Sequence, residues 1–373
     1  MPRHEGPGIE SMGRSEFFAR LENQAFEQMI PLKATIELTY GCNLRCVHCY
    51  NPTHKAKGEL STQDFYRIID QLAQKGCFVI TFTGGEMFMR KDTFEILTYA
   101  KKKGLAIILL SNATLITPER ADRIQALQPW RVDISIYGAS PETYDRVTGI
   151  PGSFGRFLAG VERLRERKVP LLIKMPAMTL NQHEVKQAKA LVEGWGIKFI
   201  YSSEITPRQD GSLEPLRYRI SAQDLIQLDQ EILGERQEEG EVEKECEAKE
   251  GLFRCGCGTS SMAVTPYGEM NLCTNFPVPQ YNLRTGSVSS GWKALVECVD
   301  SALPSQAYEC PSCDVRDYCR QGPRDALLER GDFSPCLPYF KELASSEKQT
   351  YETSDERQCT GCLSDGEKSK CSQ

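Results

Sequence analysis

Cys42, Cys46 and Cys49 lie in the run Tyr40-Gly41-Cys42-Asn43-Leu44-Arg45-Cys46-Val47-His48-Cys49. Thiolates at Cys-x3-Cys-x2-Cys spacing on one tight loop can converge on a single inorganic centre. Iron–sulfur clusters ordinarily take four cysteines, so three leave one iron open to another ligand. Zinc would need a fourth ligand, and His48 or His54 is close enough in sequence to supply it. Further along, Thr83-Gly84-Gly85-Glu86 closes a predicted strand. Its two glycines suit a backbone that another group approaches closely, since neither has a Cβ. Glu86 adds a carboxylate; a plain Gly-Gly turn is the alternative.

A second cysteine field lies near the carboxyl end. Cys257-x15-Cys273 has Cys255 just upstream, and Cys310-x2-Cys313-x5-Cys319 is followed by Cys336. Four thiolates at the last set satisfy zinc as well as iron. Sixteen cysteines in a small secreted chain would read as disulfides. No secretory signal pattern and no apolar run of the ~18 residues of a membrane span are present. The clustered spacings therefore read as reduced, metal-binding thiolates in a cytoplasmic protein. Cys77, Cys246 and Cys298 read as packing, and Cys359, Cys362 and Cys371 fall in a polar tail expected to be mobile.

Positioning these residues requires a substantial scaffold. With 373 residues, 40% hydrophobic and 26% charged, the chain can bury a full core and divide into two domains. Its net charge of −6 argues against a general nucleic-acid surface. Nine glutamates against three basic residues between Glu231 and Glu250 account for that excess, and the stretch reads as a solvated bridge. Predicted strands at Ala34–Thr39, Phe78–Phe82, Leu105–Leu110, Val132–Ile136, Leu171–Met175 and Lys198–Tyr201 alternate with helical patterns. Ser61-Thr62-Gln63-Asp64 is a capping-box signature, Asp92 to Lys103 has helical spacing, and Thr117-Pro118 and Ser140-Pro141 open further helices. This rhythm predicts parallel βα units. In such folds sites gather at the carboxyl ends of the strands, where the triplet and the Gly-Gly-Glu segment fall.

The triplet after one strand, with Gly84-Gly85-Glu86 closing the next, resembles the radical S-adenosylmethionine superfamily. The second cysteine field resembles the SPASM domain, an extension that holds auxiliary clusters in peptide- and protein-modifying members. The resemblance implies an α/β fold: a partial (β/α)6 TIM-like barrel followed by a small irregular cysteine-rich SPASM domain. The expected division is an extension over 1–33, the barrel over 34–215, an acidic helical bridge over 216–254, SPASM over 255–341 and the tail over 342–373.

Several site roles follow from the resemblance alone. Cys42, Cys46 and Cys49 would hold a [4Fe–4S] cluster whose open iron binds S-adenosylmethionine, which one-electron reduction cleaves to a 5′-deoxyadenosyl radical. Gly84 and Gly85 would approach the methionine moiety, and Glu86 would sit near its ammonium. Asn112, in Ser111-Asn112-Ala113-Thr114, is expected at the ribose or the substrate. Ser135 and Arg146 match a serine and arginine that bind ribose and carboxylate, and His48 fills an aromatic slot packing near adenine. Lys174 and Asn181 are weaker candidates. No catalytic side chain is assigned beyond the cluster.

Cys310, Cys313, Cys319 and Cys336 would complete one auxiliary [4Fe–4S] cluster. Cys255, Cys257 and Cys273 would hold a second that is incompletely ligated, because Pro323 stands where relatives have another cysteine. Sulfatase-maturing relatives carry an aspartate after the cysteine matching Cys273; Thr274 follows here. The expected activity is hydrogen abstraction from a ribosomally synthesised peptide, installing a thioether, a carbon–carbon cross-link or a similar oxidative modification. Oxidation of a tetrapyrrole, another small molecule or a protein residue is the alternative, and a non-catalytic metal protein the third reading. Expected partners are a leader-bearing peptide, a separate leader-recognition protein and a flavodoxin- or ferredoxin-type reductant, with no nucleic acid and no membrane.

Overall fold

Each of the first six strands hands over to helical structure before the next begins, so neighbours can pair only in parallel. In the computed structural model, which describes residues 14–233, 252–276, 278 and 280–361, these strands are β1 (Lys33–Glu37), β2 (Val79–Thr83), β3 (Ala106–Ser111), β4 (Arg131–Ser135), β5 (Leu171–Pro176) and β6 (Lys198–Ser202). They pair in sequence order in a six-stranded parallel partial barrel. The predicted strands are displaced from these by no more than two residues at either end.

Side chains alternate across the sheet. Ile80, Phe82, Ile107, Leu109, Val132, Ile134 and Ile173 form one face and are fully buried. Helices cover that face: α1 (Arg14–Glu27), α2 (Thr62–Gln74), α3 (Thr93–Lys102), α4 (Pro118–Leu127), α5 (Pro141–Thr148), α6 (Ser153–Glu166) and α7 (Val185–Glu193). The helix α2 presents Phe65, Ile68, Ile69 and Leu72 inward at helical spacing. It starts at the expected capping box, where Asp64 N–H donates to Ser61 Oγ and Ser61 N–H donates back to the Asp64 carboxylate. The opposite, concave face is mixed: Thr35, Glu37, Thr81, Thr83, Asp133, Ser135 and Lys174 share it in register with Ile108, Leu110 and Leu172.

The carboxyl-terminal part does not stand apart from this sheet. Strand β7 (Ser261–Val264) pairs parallel with β1, and β8 (Glu269–Asn271) and β9 (Tyr281–Asn282) extend it antiparallel. The short apolar run Ser261–Val264 before Tyr267-Gly268 is a hairpin signal the sequence reading did not use. The remaining helices are α8 (Ala222–Leu233), α9 (Val288–Ser301), α10 (Pro323–Arg330) and α11 (Pro338–Gly361).

Helix α11 runs through the first part of the expected tail, to Gly361, and Leu343 and Ala344 in its first turns are buried. Cys246, Cys362, Cys371 and most of the acidic stretch lie outside the described residues, as does the side chain of Cys359. Among the described residues no helix is long and apolar enough to cross a membrane.

A candidate active site at the rim of the barrel

The cysteine triplet occupies the loop that leaves β1, and several braces fix this loop. Glu59 accepts from Thr39 Oγ1 at 2.9 Å and from Tyr40 N–H at 2.7 Å. Arg45 N–H donates to Thr148 O at 2.8 Å and Val47 N–H to Val147 O at 3.0 Å, both at the end of α5. All three thiols are free and half-buried. Burial pushes Cys42 up to about 11 and raises Cys46 and Cys49 as well, so without metal they carry their protons. Binding a metal centre would exchange those protons for coordination. Among the described residues no three Cys, His, Asp or Glu side chains converge as one metal ion requires.

Gly84 and Gly85 serve this loop directly. A Cβ on Gly84 would stand 2.3 Å from Thr39 O, and one on Gly85 would stand 2.5 Å from Gly41 O. Gly85 N–H donates to Thr39 O at 2.7 Å and Glu86 N–H to Gly41 O at 2.9 Å. The close approach demanded of the glycines is therefore to the cysteine loop itself. Glu86 has a bracing role beside the expected one: its carboxylate is buried and accepts from three neighbouring residues. It accepts from Ser111 Oγ at 3.0 and 3.1 Å, Asn112 N–H at 2.8 Å and Phe88 N–H at 3.2 Å.

Other expected contacts turn out to be braces as well. Asn112 Nδ2 donates to Asn43 Oδ1 at 3.1 Å, and its Oδ1 accepts from Thr114 N–H and Oγ1. Its amide thus helps hold the cysteine loop, with one Nδ2 hydrogen on Asn43. Asn43 is a site residue the sequence reading missed; its place inside the triplet was the available signal. Asn181, fully buried, donates to Tyr137 O at 3.1 Å and Pro176 O at 3.0 Å, tying β4 to β5. Lys174 Nζ lies 2.6 Å from buried Asp133, whose other oxygen faces Arg131 at 2.6 Å.

Ser135 remains at the β4 end on the concave face, beside Lys174 in register. Arg146 is exposed on α5, one residue before the Val147 carbonyl that anchors the loop. His48 packs against Tyr137 at 5.5 Å between ring centroids, and burial pushes its pKa down to about 4. It is a neutral packing ring at neutral pH.

Beneath the loop, Glu37 at the end of β1 is 1% exposed. Tyr50 Oη donates to its Oε1, and Tyr40 Oη donates to its Oε2 at 3.2 Å. Burial raises its pKa from the ordinary 4.5 to about 7. The folded chain therefore holds a proton that the unfolded chain releases between these values, and stability is lost as pH rises through that window. The metal-free Glu37→Gln protein is expected to gain on wild type from pH 5 to pH 8. The relative gain between the two pH values is roughly 2.5 kcal/mol, and the cost of the altered tyrosine bonds cancels from it. Urea unfolding of both proteins at the two pH values measures it; parallel pH profiles would exclude the linkage.

The second cysteine field forms two groups. The thiols of Cys255, Cys257 and Cys273 are hydrogen-bonded in a row. They line a cavity of about 430 Å³ with Tyr201, Arg219, Arg324 and Tyr339. Cys310, Cys313, Cys319 and Cys336 surround a separate, tighter cavity. Pro323, the first residue of α10, borders both cavities.

A parallel partial barrel with a cysteine triplet at the rim of its first strand defines a class of radical enzyme, and the comparisons agree. The Radical SAM superfamily model matches residues 36–192. The mycofactocin maturase MftC of Mycobacterium ulcerans is 30% identical over 315 residues, covering 78% of this chain and 82% of that protein. The AdoMet-dependent heme synthase of Methanosarcina barkeri is 29% identical over 329 residues, covering 81% and 94%. The crystal structure of Streptococcus suis SuiB bound to precursor peptide SuiA shares the fold at 15% identity, with a TM-score of 0.67 over 90% of this chain and 82% of that one. The chain belongs to the radical SAM superfamily. Membership makes it an enzyme that uses S-adenosylmethionine and a [4Fe–4S] cluster.

Proposed function

We propose that this enzyme oxidatively modifies a ribosomally synthesised peptide, with Cys42, Cys46 and Cys49 holding its radical-generating cluster. The observation that carries this reading is the second field: seven cysteines in two groups, each lining its own cavity. Cys310, Cys313, Cys319 and Cys336 supply the four thiolates of a complete auxiliary cluster. Cys255, Cys257 and Cys273 supply three to another, and Pro323 leaves its fourth position open toward the 430 Å³ cavity. Residues 255–341 thus act as an electron-accepting module for the barrel of residues 34–215, although β7 joins the two in one sheet. Thr274, in place of an aspartate after Cys273, argues against sulfatase maturation.

When bound, the triplet's cluster and S-adenosylmethionine supply a 5′-deoxyadenosyl radical that abstracts hydrogen from the substrate. The chain's own residues hold and shield that chemistry. Gly84, Gly85 and Glu86 lock the triplet loop to β2 and β3, and Ser135, Arg146 and His48 are assigned to the nucleotide. The likeness to MftC, together with the fold shared with peptide-bound SuiB, favours a peptide. A separate leader-recognition protein is part of the proposal. The likeness to an AdoMet-dependent heme synthase over 94% of its length supports a second reading, oxidation of a tetrapyrrole.

Anaerobic reconstitution, iron counting and reductant-dependent deoxyadenosine release test both readings. Small open reading frames beside the gene and iron porphyrins serve as candidate substrates. About twelve irons per chain and release coupled to mass loss in one neighbouring peptide are expected. Release coupled only to a porphyrin would replace the first reading with the second. About eight irons would mean that the site bordered by Pro323 stays empty.

A further inference from the structure

Positive charge gathers on the outer side of the triplet loop, in a chain whose net charge is −6. Arg45 and Arg217 are exposed there, Arg208 is half-buried, and Lys55 and Lys57 are exposed just after His54 on the same segment. Arg45, Arg208 and Arg217 line a surface cavity of about 330 Å³ whose wall includes Cys46 and Cys49. Two acids oppose them. Glu214 lies 3.1 Å from Arg208 and 3.5 Å from Arg217, and Asp210 is exposed nearby. His54 also lines the cavity, but burial pushes its pKa below the ordinary value, so it adds no charge at neutral pH. Five basic side chains against two acids leave this face cationic while the rest of the molecule is acidic.

The patch is built on a rigid base. It spans two segments distant in sequence, the triplet loop and the connection after β6. Gln209 N–H donates to Tyr50 O at 2.9 Å, and Gln209 Nε2 donates to Tyr40 Oη at 2.8 Å. These bonds zip the two segments together, so the arginines stand in fixed register around the cavity.

We propose that this face docks an acidic one-electron carrier protein of the flavodoxin class. The inference rests on the reading of the triplet as the holder of the radical-generating cluster. Two observations favour such a carrier. Two of the three cysteines border the cavity, so a carrier seated there meets the loop that would hold the cluster, and transfer slows steeply with distance. The patch is cationic, which steers an acidic partner and raises its association rate by about 10–10³-fold. In the step itself, a flavin hydroquinone anion loses one electron and becomes the neutral semiquinone. The oxidised cluster gains that electron, and no atom changes hands.

The test is the variant Lys55→Glu/Lys57→Glu/Arg217→Glu, none of which holds the cluster or the nucleotide. Stopped-flow absorbance follows cluster reduction in the reconstituted enzyme by flavodoxin hydroquinone and, separately, by dithionite. At about 0.01 M salt, where screening reaches only beyond ~30 Å, the variant is expected to accept electrons from flavodoxin at least about tenfold more slowly than wild type. The gap should close at about 1 M salt, and dithionite should reduce both proteins equally. Equal flavodoxin rates at low salt would overturn the proposal.

A second arm uses the metal-free chain and oxidised flavodoxin in titration calorimetry. Salt-sensitive binding that the triple variant loses supports the docking face, and no binding overturns it. The two arms together separate the two readings: failure of dithionite to reduce any cluster in the reconstituted wild type would refute the triplet assignment while leaving the calorimetric docking result intact.

Discussion

Replacing any one of Cys42, Cys46 or Cys49 with alanine is expected to abolish reductive cleavage of S-adenosylmethionine and remove about four irons per chain. The loss should be near total. Three thiolates already leave one iron without a protein ligand, so a further deletion leaves two protein anchors on a four-iron centre. Changing a residue that only supports a metal ligand typically costs 10–100-fold, and a ligand itself should cost more. Stability should change little, because each thiol is only half-buried and the loop is fixed through Glu59, Thr148 and Val147. Cys77→Ala is the matched control. That thiol is buried, with its sulfur 3.6 Å from Leu32 O, and its loss should cost about 1 kcal/mol without changing iron content. Deoxyadenosine release, iron content and a urea midpoint on all four variants separate the two outcomes. Cleavage that survives loss of a triplet cysteine would refute the assignment of the cluster.

The strands were legible because hydrophobic alternation and turn residues are local signals, and a parallel barrel repeats them six times. Ser61 and Asp64 announced the start of α2 for the same reason. The triplet was legible because its spacing is short and its residue type rare. What stayed hidden was the direction in which polar side chains point. Glu86, Asn112, Asn181 and Lys174 all lie at or near strand ends, where ligand contacts are expected, yet each is held by a neighbouring protein group.

Strand ends are also where backbone groups lose their ladder partners, and buried groups of that kind must be satisfied. A carboxylate or amide between two strand ends does this, and one sequence does not distinguish that duty from ligand binding. The buried Glu37–Tyr50–Tyr40 group was equally silent, since its members meet only once the loop folds back. The union of β7 with β1 was hidden because parallel pairing joins residues about 230 positions apart.

That rim of braces makes Gly84 a sensitive position outside the cysteines. Its φ is +138°, and a Cβ there would meet the Thr39 carbonyl oxygen at 2.3 Å and the Thr39 nitrogen at 3.1 Å. Backbone atoms cannot rotate away as a side chain would, so Gly84→Ala must either push the triplet loop outward or distort the end of β2. Backbone strain of about 1–3 kcal/mol adds to an overpacking cost of similar size. The expected loss is therefore roughly 3–5 kcal/mol, with iron uptake falling alongside because the displaced segment leads directly into Cys42. Gly104→Ala isolates the strain. Its φ is +81°, and nothing lies within 4 Å of the added carbon, so only about 1–2 kcal/mol should be lost and iron uptake should remain normal. Equal urea midpoints and equal iron content in the two variants would show that the clash with Thr39 is relieved without moving the loop. In that event Gly84 would be required for its backbone conformation alone.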